Sequence, residues 1–294
     1  MKIQEFLKYL KHKRNYSDLT VQSYESDLLQ FENFLVKDDN DFSVLQDDNL
    51  ISVNAVRSWI MTLSEQGISA RSINRKISSL KSYFKWCEMF DTEFKNPMLK
   101  IIPPKTKKRK LASLSNDDIS SLLSLQPNAN NFDDFRNFLI IEILYATGIR
   151  QAELLNIEEK DISFTNKQLR VLGKDNKERI IPIEEKLIDS ITQFIDLKRR
   201  YNIKESRLIV SSTGKPISKY QLYSIVHRLL ENYNVSERSA HIFRHTCATH
   251  LVGEGADIVN VKNLLGHSSL KATEVYTHTT IEQLKSEYKK KYKQ

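Results

Sequence analysis

Residues 161–183 read DISFTNKQLRVLGKDNKERIIPI. Apolar residues alternate or cluster there as Ile162/Phe164, Leu169/Val171 and Ile180/Ile181/Ile183, which is the period of short strands. Thr165-Asn166 and Gly173-Lys174-Asp175-Asn176 separate the three runs with turn residues. The spacing predicts a small antiparallel sheet, and on either side of it the period is helical. Downstream, helical patterns run over 184–200, 218–232, 240–253, 257–265 and 280–292. Upstream, Ser115-Asn116-Asp117-Asp118 opens a helix, an apolar helix over 133–147 stops at Gly148, and Gln151 to Leu155 begins a short one.

Four more helices are predicted nearer the N-terminus. Ile3, Phe6, Leu7 and Leu10 mark the first, and Ser17 caps a second along Val21, Tyr24, Leu28, Phe31, Phe34 and Leu35. After a polar loop over 37–50, Val53, Val56, Trp59, Ile60 and Leu63 form a third that stops near Gly67. Ser69 caps the fourth, with Ile73, Ile77, Leu80, Phe84 and Cys87 inward. The fold expected is mainly α: a four-helix bundle over 1–100, a linker over 101–110, and a mostly helical domain over 111–294 that holds the sheet.

Composition narrows the function classes. Only 7 glycines and 6 prolines in 294 residues disfavour β-sandwiches and collagen-like repeats. Two cysteines exclude a disulfide scaffold. No run of about 18 apolar residues suggests a membrane span, and the amphipathic start MKIQEFLKYLKHKRNY does not read as a secretory signal. A cytoplasmic protein is expected. The net charge of +8 points to a polyanionic partner. It is unevenly placed, since residues 104–110, PKTKKRK, hold five bases and no acid.

Three segments suggest chemistry: Ala146-Thr147-Gly148-Ile149-Arg150-Gln151-Ala152-Glu153-Leu154, then His241-Ile242-Phe243-Arg244-His245, then Leu264-Leu265-Gly266-His267-Ser268 with Tyr276-Thr277-His278 beyond it. Any one residue here has an ordinary structural reading; the ordered set does not. With these motifs the sequence resembles the tyrosine recombinases of the phage-integrase family, and among them the Xer-like enzymes, over nearly its whole length. The resemblance implies a SAM-like core-binding domain at the N-terminus and a catalytic domain after the linker. It implies catalytic roles for Arg150 in the G-[IL]-R-x-x-E context, Lys174 in the strand turn, the H-x-x-R pair His241 and Arg244, His267 of L-G-H, and the nucleophile Tyr276. Glu153 fits the acidic residue that follows the first arginine and orients it.

The residue types suit metal-free phosphodiester exchange. A tyrosine with a reference pKa near 10 needs a base or nearby positive charge to attack. Two arginines can clamp non-bridging phosphate oxygens as charge builds, and a lysine can protonate the leaving oxygen. No cofactor and no metal are expected. His245, Cys247 and His250 share a helix, but spacings of two and five do not converge on one ion.

DNA contacts are expected from Arg71, Asn74, Arg75 and Lys76 on the fourth helix, from Lys107, Lys108 and Arg109 in the linker, and from Lys219 and Arg228 beside Tyr220 and Gln221. By resemblance, the helix over 280–294 docks into a neighbouring protomer, and the partners are duplex DNA with a specific site, a homotetramer or a heterotetramer with a second recombinase, and a DNA translocase. The chain opens on the first helix of the core-binding domain, so no extra arm-binding domain is expected. Expected functions are Xer-type resolution of chromosome or plasmid dimers, integration or inversion of a mobile segment, or, from another class, catalytically silent DNA binding.

Overall fold

The computed structural model describes residues 1–39, 51–91, 93–106, 113–125, 127–173, 177–235 and 237–266. The chain divides into two compact units, Met1–Arg109 and Lys110–Gln294.

The first unit is helical throughout its described residues. It contains α1 (Ile3–His12), α2 (Asp18–Asp39), α3 (Val53–Glu65), α4 (Ala70–Cys87) and a 3-10 turn at Pro97–Lys100. Ser52 and Ser69 accept from the backbone N–H of Ala55 and Ser72, which fixes where α3 and α4 begin. The apolar stripes read from the sequence meet in one aromatic core. Phe6 sits edge-on to Tyr83 at 5.4 Å, and Phe31 lies 4.9 Å from Trp59. Ile101 is buried in this core, and Pro104 O accepts from Asn74 Nδ2 at 2.9 Å. The connecting segment expected from residue 101 therefore starts later, because Ile101 completes the core after the 3-10 turn.

Within the same unit, Asp27 of α2 is fully buried. It accepts from Lys76 Nζ at 3.1 Å, Arg75 Nη1 at 2.5 Å and Ser79 Oγ at 2.8 Å. Gln30 Oε1 takes a second hydrogen bond from Lys76. A polar cluster this deep is tolerated because each charge has a partner.

In the second unit, α5 (Asn116–Ser124) starts on a reciprocal cap between Ser115 and Asp118. Then come α6 (Phe132–Thr147), the short α7 (Gln151–Asn156), strands β1 (Ile162–Ser163), β2 (Gln168–Leu172) and β3 (Glu178–Pro182), and helices α8 (Glu185–Arg200), α9 (Lys219–Leu229), α10 (Ala240–Gly253) and α11 (Ile258–Leu265). The sheet is antiparallel in the order β1-β2-β3, with Ile162 opposite Leu169 and Val171 opposite Arg179. Phe164 departs from the alternation expected of it: β1 ends at Ser163, and Phe164 is exposed in the turn.

Helix α6 is buried on nearly every side and packs against α8 and α10. The chain entering this unit is fastened to α10. Leu114 N donates to Thr246 Oγ1 at 3.0 Å, His250 Nε2 lies 3.0 Å from Leu114 O, and Tyr145 Oη lies 3.1 Å from His250 Nδ1. No helix among the described residues is long and apolar enough to cross a membrane.

Replacing Asp27 by alanine leaves Lys76 as a buried cation without its carboxylate, which should cost about 3–5 kcal/mol. Both tryptophans, Trp59 and Trp86, lie in this unit, so urea unfolding followed by their fluorescence reads it selectively. The midpoint should fall in Asp27→Ala and recover when Lys76→Met is added. An unchanged midpoint in the single variant would show that the cluster carries no stability.

Candidate active site

The site is built where α6 ends. Gly148 takes the left-handed conformation, φ 59°, and stops the helix. A Cβ at this position would run into the Leu265 side chain at the end of α11. The chain turns through buried Ile149 and starts α7 at Arg150. The sharp turn thus brings Arg150 beside the last turn of α11.

Glu153, one turn into α7, holds Arg150 twice: Oε2 accepts from the Arg150 backbone N–H at 2.8 Å, and Oε1 accepts from Nη1 at 2.9 Å. From β3, Arg179 donates Nη1 to Glu153 Oε1 at 3.0 Å and Nη2 to Oε2 at 2.7 Å. Burial pushes the Glu153 carboxyl up, but the hydrogen bonds from Arg179 and the Arg150 backbone outweigh it and leave the group below its ordinary range.

Three successive backbone carbonyls at the end of α11 each receive a different arginine. Leu264 O accepts from Arg179 Nε at 3.0 Å, Leu265 O from Arg244 Nη2 at 2.6 Å, and Gly266 O from Arg150 Nη2 at 2.6 Å. Arg244 also donates Nη1 to Gly148 O at 2.8 Å. A helix leaves its final carbonyls without intrahelical donors, and the negative end of its dipole favours cations. Here both needs are met by guanidiniums.

Among the described residues the charges do not cancel. Three guanidiniums face one carboxylate, Glu153. Burial, followed by repulsion from Arg150, holds Arg244 down to about 10, so it remains a cation at neutral pH. Forked donors with surplus positive charge, and an Arg150 side chain still 34% exposed, suit an anion such as a phosphate.

Of the residues singled out in the sequence, Arg150, Glu153 and Arg244 converge in this network. His241 lies in the first turn of α10 with an exposed side chain, one turn before buried Arg244. Lys174, His267 and Tyr276 lie outside the described residues. Gly173, the residue before Lys174, donates its N–H to Lys177 O at 2.8 Å, and Gly266 immediately precedes His267. Cys247 is buried, and His250 is taken up by Tyr145 and Leu114.

The expected DNA-facing residues separate. Arg71 is exposed, and Arg75 is half exposed though tied to Asp27. Lys76 does not belong with them: it sits at 9% exposure beside Ile77 and Ser79, with its ammonium spent on Asp27 and Gln30. Asn74 is half buried and committed to Pro104. Lys107, Lys108 and Arg109 lie outside the described residues. Lys219, Tyr220 and Arg228 are exposed along α9, whose first residue is tied to the site where Gln151 Nε2 donates to Lys219 O at 3.0 Å. Tyr223 and His227 continue this face, with ring centroids 5.6 Å apart. Arg179 was not singled out in the sequence. The signal for it was the strand alternation, which puts residue 179 on the inward face with Ile181 while Glu178 and Ile180 face out.

Comparison with known proteins agrees with this architecture. The phage integrase family matches residues 112–283, and the N-terminal SAM-like domain of phage integrases matches residues 3–88. Tyrosine recombinase XerC of Staphylococcus epidermidis is 35% identical over 293 residues, covering 98% of this chain and 96% of that protein. Tyrosine recombinase XerC of Chlorobaculum parvum is 31% identical over 313 residues, covering 98% and 93%. Among solved structures, the Tn1549 transposon integrase in complex with transposon right end DNA superposes with a TM-score of 0.74 at 20% identity, covering 97% of this chain and 98% of that one. The XerH site-specific recombinase bound to a palindromic difH substrate gives 0.69 at 22%, covering 97% and 83%. The fold is that of a tyrosine recombinase. The chain belongs to the phage integrase family.

Replacing Glu153 by glutamine leaves Arg179 without its counter-charge and should lower stability by about 3 kcal/mol at neutral pH. The folded-state pKa of Glu153 is depressed, so the stabilisation is fully present above the ordinary glutamate value of about 4.3 and disappears as the pH falls through the folded value. The gap in melting temperature between wild type and Glu153→Gln, measured by far-UV ellipticity, should therefore narrow as the solution is acidified below that range. A gap that stays constant with pH would contradict this account.

Proposed function

We propose that this chain is a site-specific recombinase that cuts and rejoins duplex DNA, with its principal role in resolving chromosome or plasmid dimers. The observation that carries the reading is the junction of Arg150 and Arg244 on the last carbonyls of α11, after which the sequence continues to His267 and Tyr276. Near-full-length similarity to proteins named XerC supports the dimer-resolving role over a mobile-element role.

In this reading the scissile phosphate lies between Arg150 and Arg244, which bind its non-bridging oxygens as negative charge develops. Tyr276 Oη attacks phosphorus and gives up its proton as it does so, assisted by His241 and His267. The bond from phosphorus to the 5′-oxygen breaks, and Lys174 delivers the proton that the leaving oxygen needs. The 3′-phosphotyrosyl link conserves the energy of the broken bond, and attack by a partner strand's 5′-hydroxyl reverses the step. No ATP or metal is needed to balance it. Glu153 acts on the reaction by orienting Arg150.

Two sequential exchanges by four protomers, as a homotetramer or with a second recombinase, pass through a Holliday junction. The segment 280–294 links neighbouring protomers, and a DNA translocase acts as a further partner. Arg71, Arg75, Lys107, Lys108, Arg109, Lys219 and Arg228 hold the phosphate backbone, so binding weakens with salt. The work takes place in the cytoplasm, where the DNA is.

Covalent capture tests the chemistry. With chelator present, wild-type protein on nicked duplexes selected for binding should form a DNA adduct that survives detergent, and Tyr276→Phe should form none. An adduct in Tyr276→Phe would overturn the mechanism, and absence of an adduct in wild type would favour the silent DNA-binding reading. Sequencing the DNA attached to the protein in cells reads the biological role. Adducts at one chromosomal locus support dimer resolution, and adducts at the ends of a mobile or inverting segment overturn it.

A further inference from the structure

We infer that Arg179 is a positioning residue for strand cleavage, one that fixes where the chain departs toward both Lys174 and His267. The inference rests on the recombinase reading above and adds a residue to it. Arg179 is 7% exposed, and all three guanidinium nitrogens are engaged: Nε with Leu264 O, Nη1 and Nη2 with Glu153.

Two glycines close on the same guanidinium. A Cβ built at Gly173 would lie 3.3 Å from Arg179 Nη1 and 3.6 Å from Glu153 Oε1. A Cβ built at Gly266 would also lie 3.3 Å from Arg179 Nη1, and 3.5 Å from Cδ and Cζ. Each glycine is the residue immediately before a proposed catalytic group, Lys174 in one place and His267 in the other. The planar head of Arg179 thus lies against two glycines that are far apart in sequence, each one residue before a proposed catalytic group. Through Glu153 it also reaches Arg150.

Arg179 touches no reacting atom in this arrangement; it acts through the groups it seats. A lysine would keep the charge but would replace three fixed donors and a flat surface with one point contact. Positioning losses of this kind are large, because an error of about 1 Å in a reacting group costs about a hundredfold.

The test compares cleavage by wild type and Arg179→Lys on the nicked duplex with an ordinary 5′-oxygen leaving group, and on one with a 5′-bridging sulfur. A thiolate leaves without needing a proton, so the sulfur substrate makes less demand on Lys174. Arg179→Lys should bind DNA within about threefold of wild type and cleave the oxygen substrate about a hundredfold more slowly. On the sulfur substrate the deficit should shrink by about tenfold or more. A rate within threefold of wild type on the oxygen substrate overturns the inference, and so does an equal deficit on both substrates, which is what a merely structural role produces.

If Arg179→Lys does not fold, Gly173→Ala takes its place. Its φ lies outside the left-handed region, and its Cβ would press on Arg179 and on Lys177 O. The same sulfur-dependent recovery supports the inference, and its absence overturns it. Failure of wild type to cleave either substrate would instead sink the recombinase reading.

Discussion

The second unit is organised by one electrostatic constraint: among the described residues, three arginines share a small interior with a single carboxylate. Their remaining compensation comes from backbone oxygens at the end of α11. A helix end that closes on three guanidiniums cannot shift without uncovering the buried charges of Arg179 and Arg244. That requirement explains why α6 must break at Gly148, why α7 must begin at Arg150, and why β3 turns an arginine inward. The sheet and two helix ends are held together by the same few atoms.

The first unit solves a related problem with the signs reversed. Asp27 is an acid in an apolar bundle, and α4 supplies two cations and a hydroxyl to it. Helix α4 therefore has two jobs. Arg71 faces outward, Lys76 is consumed inside, and Arg75 does part of each. A helical wheel gives the angle of a side chain but not whether a buried acid waits beneath it. Lys76 was therefore expected, with its neighbours on this helix, among the groups that meet a phosphate.

Much of the architecture was legible because local signals agreed with one another. Serines at 69 and 115 stood before helical stripes and became caps, and the change of period at 161–183 became a three-stranded sheet. Arg150, Glu153 and Arg244 were legible as motif members, and the structure brings them together. What sequence did not expose were partnerships across long separations. Arg179 meets Leu264 across 85 positions, and Lys76 meets Asp27 across 49. Phe164 was misplaced for a simpler reason: alternation continues on paper after the ladder has ended in a turn.

The attachment of Leu114 to α10 also fixes a proton. A carbonyl oxygen can only accept, so His250 carries a hydrogen on Nε2. In the neutral ring Nδ1 then accepts and Tyr145 donates. Donation in that form runs in a single direction, from phenol to imidazole to peptide. A second proton on that ring would set hydrogen against hydrogen until the phenol swung round. The helix that carries Arg244 is therefore joined to the entering chain by a link with polarity as well as length.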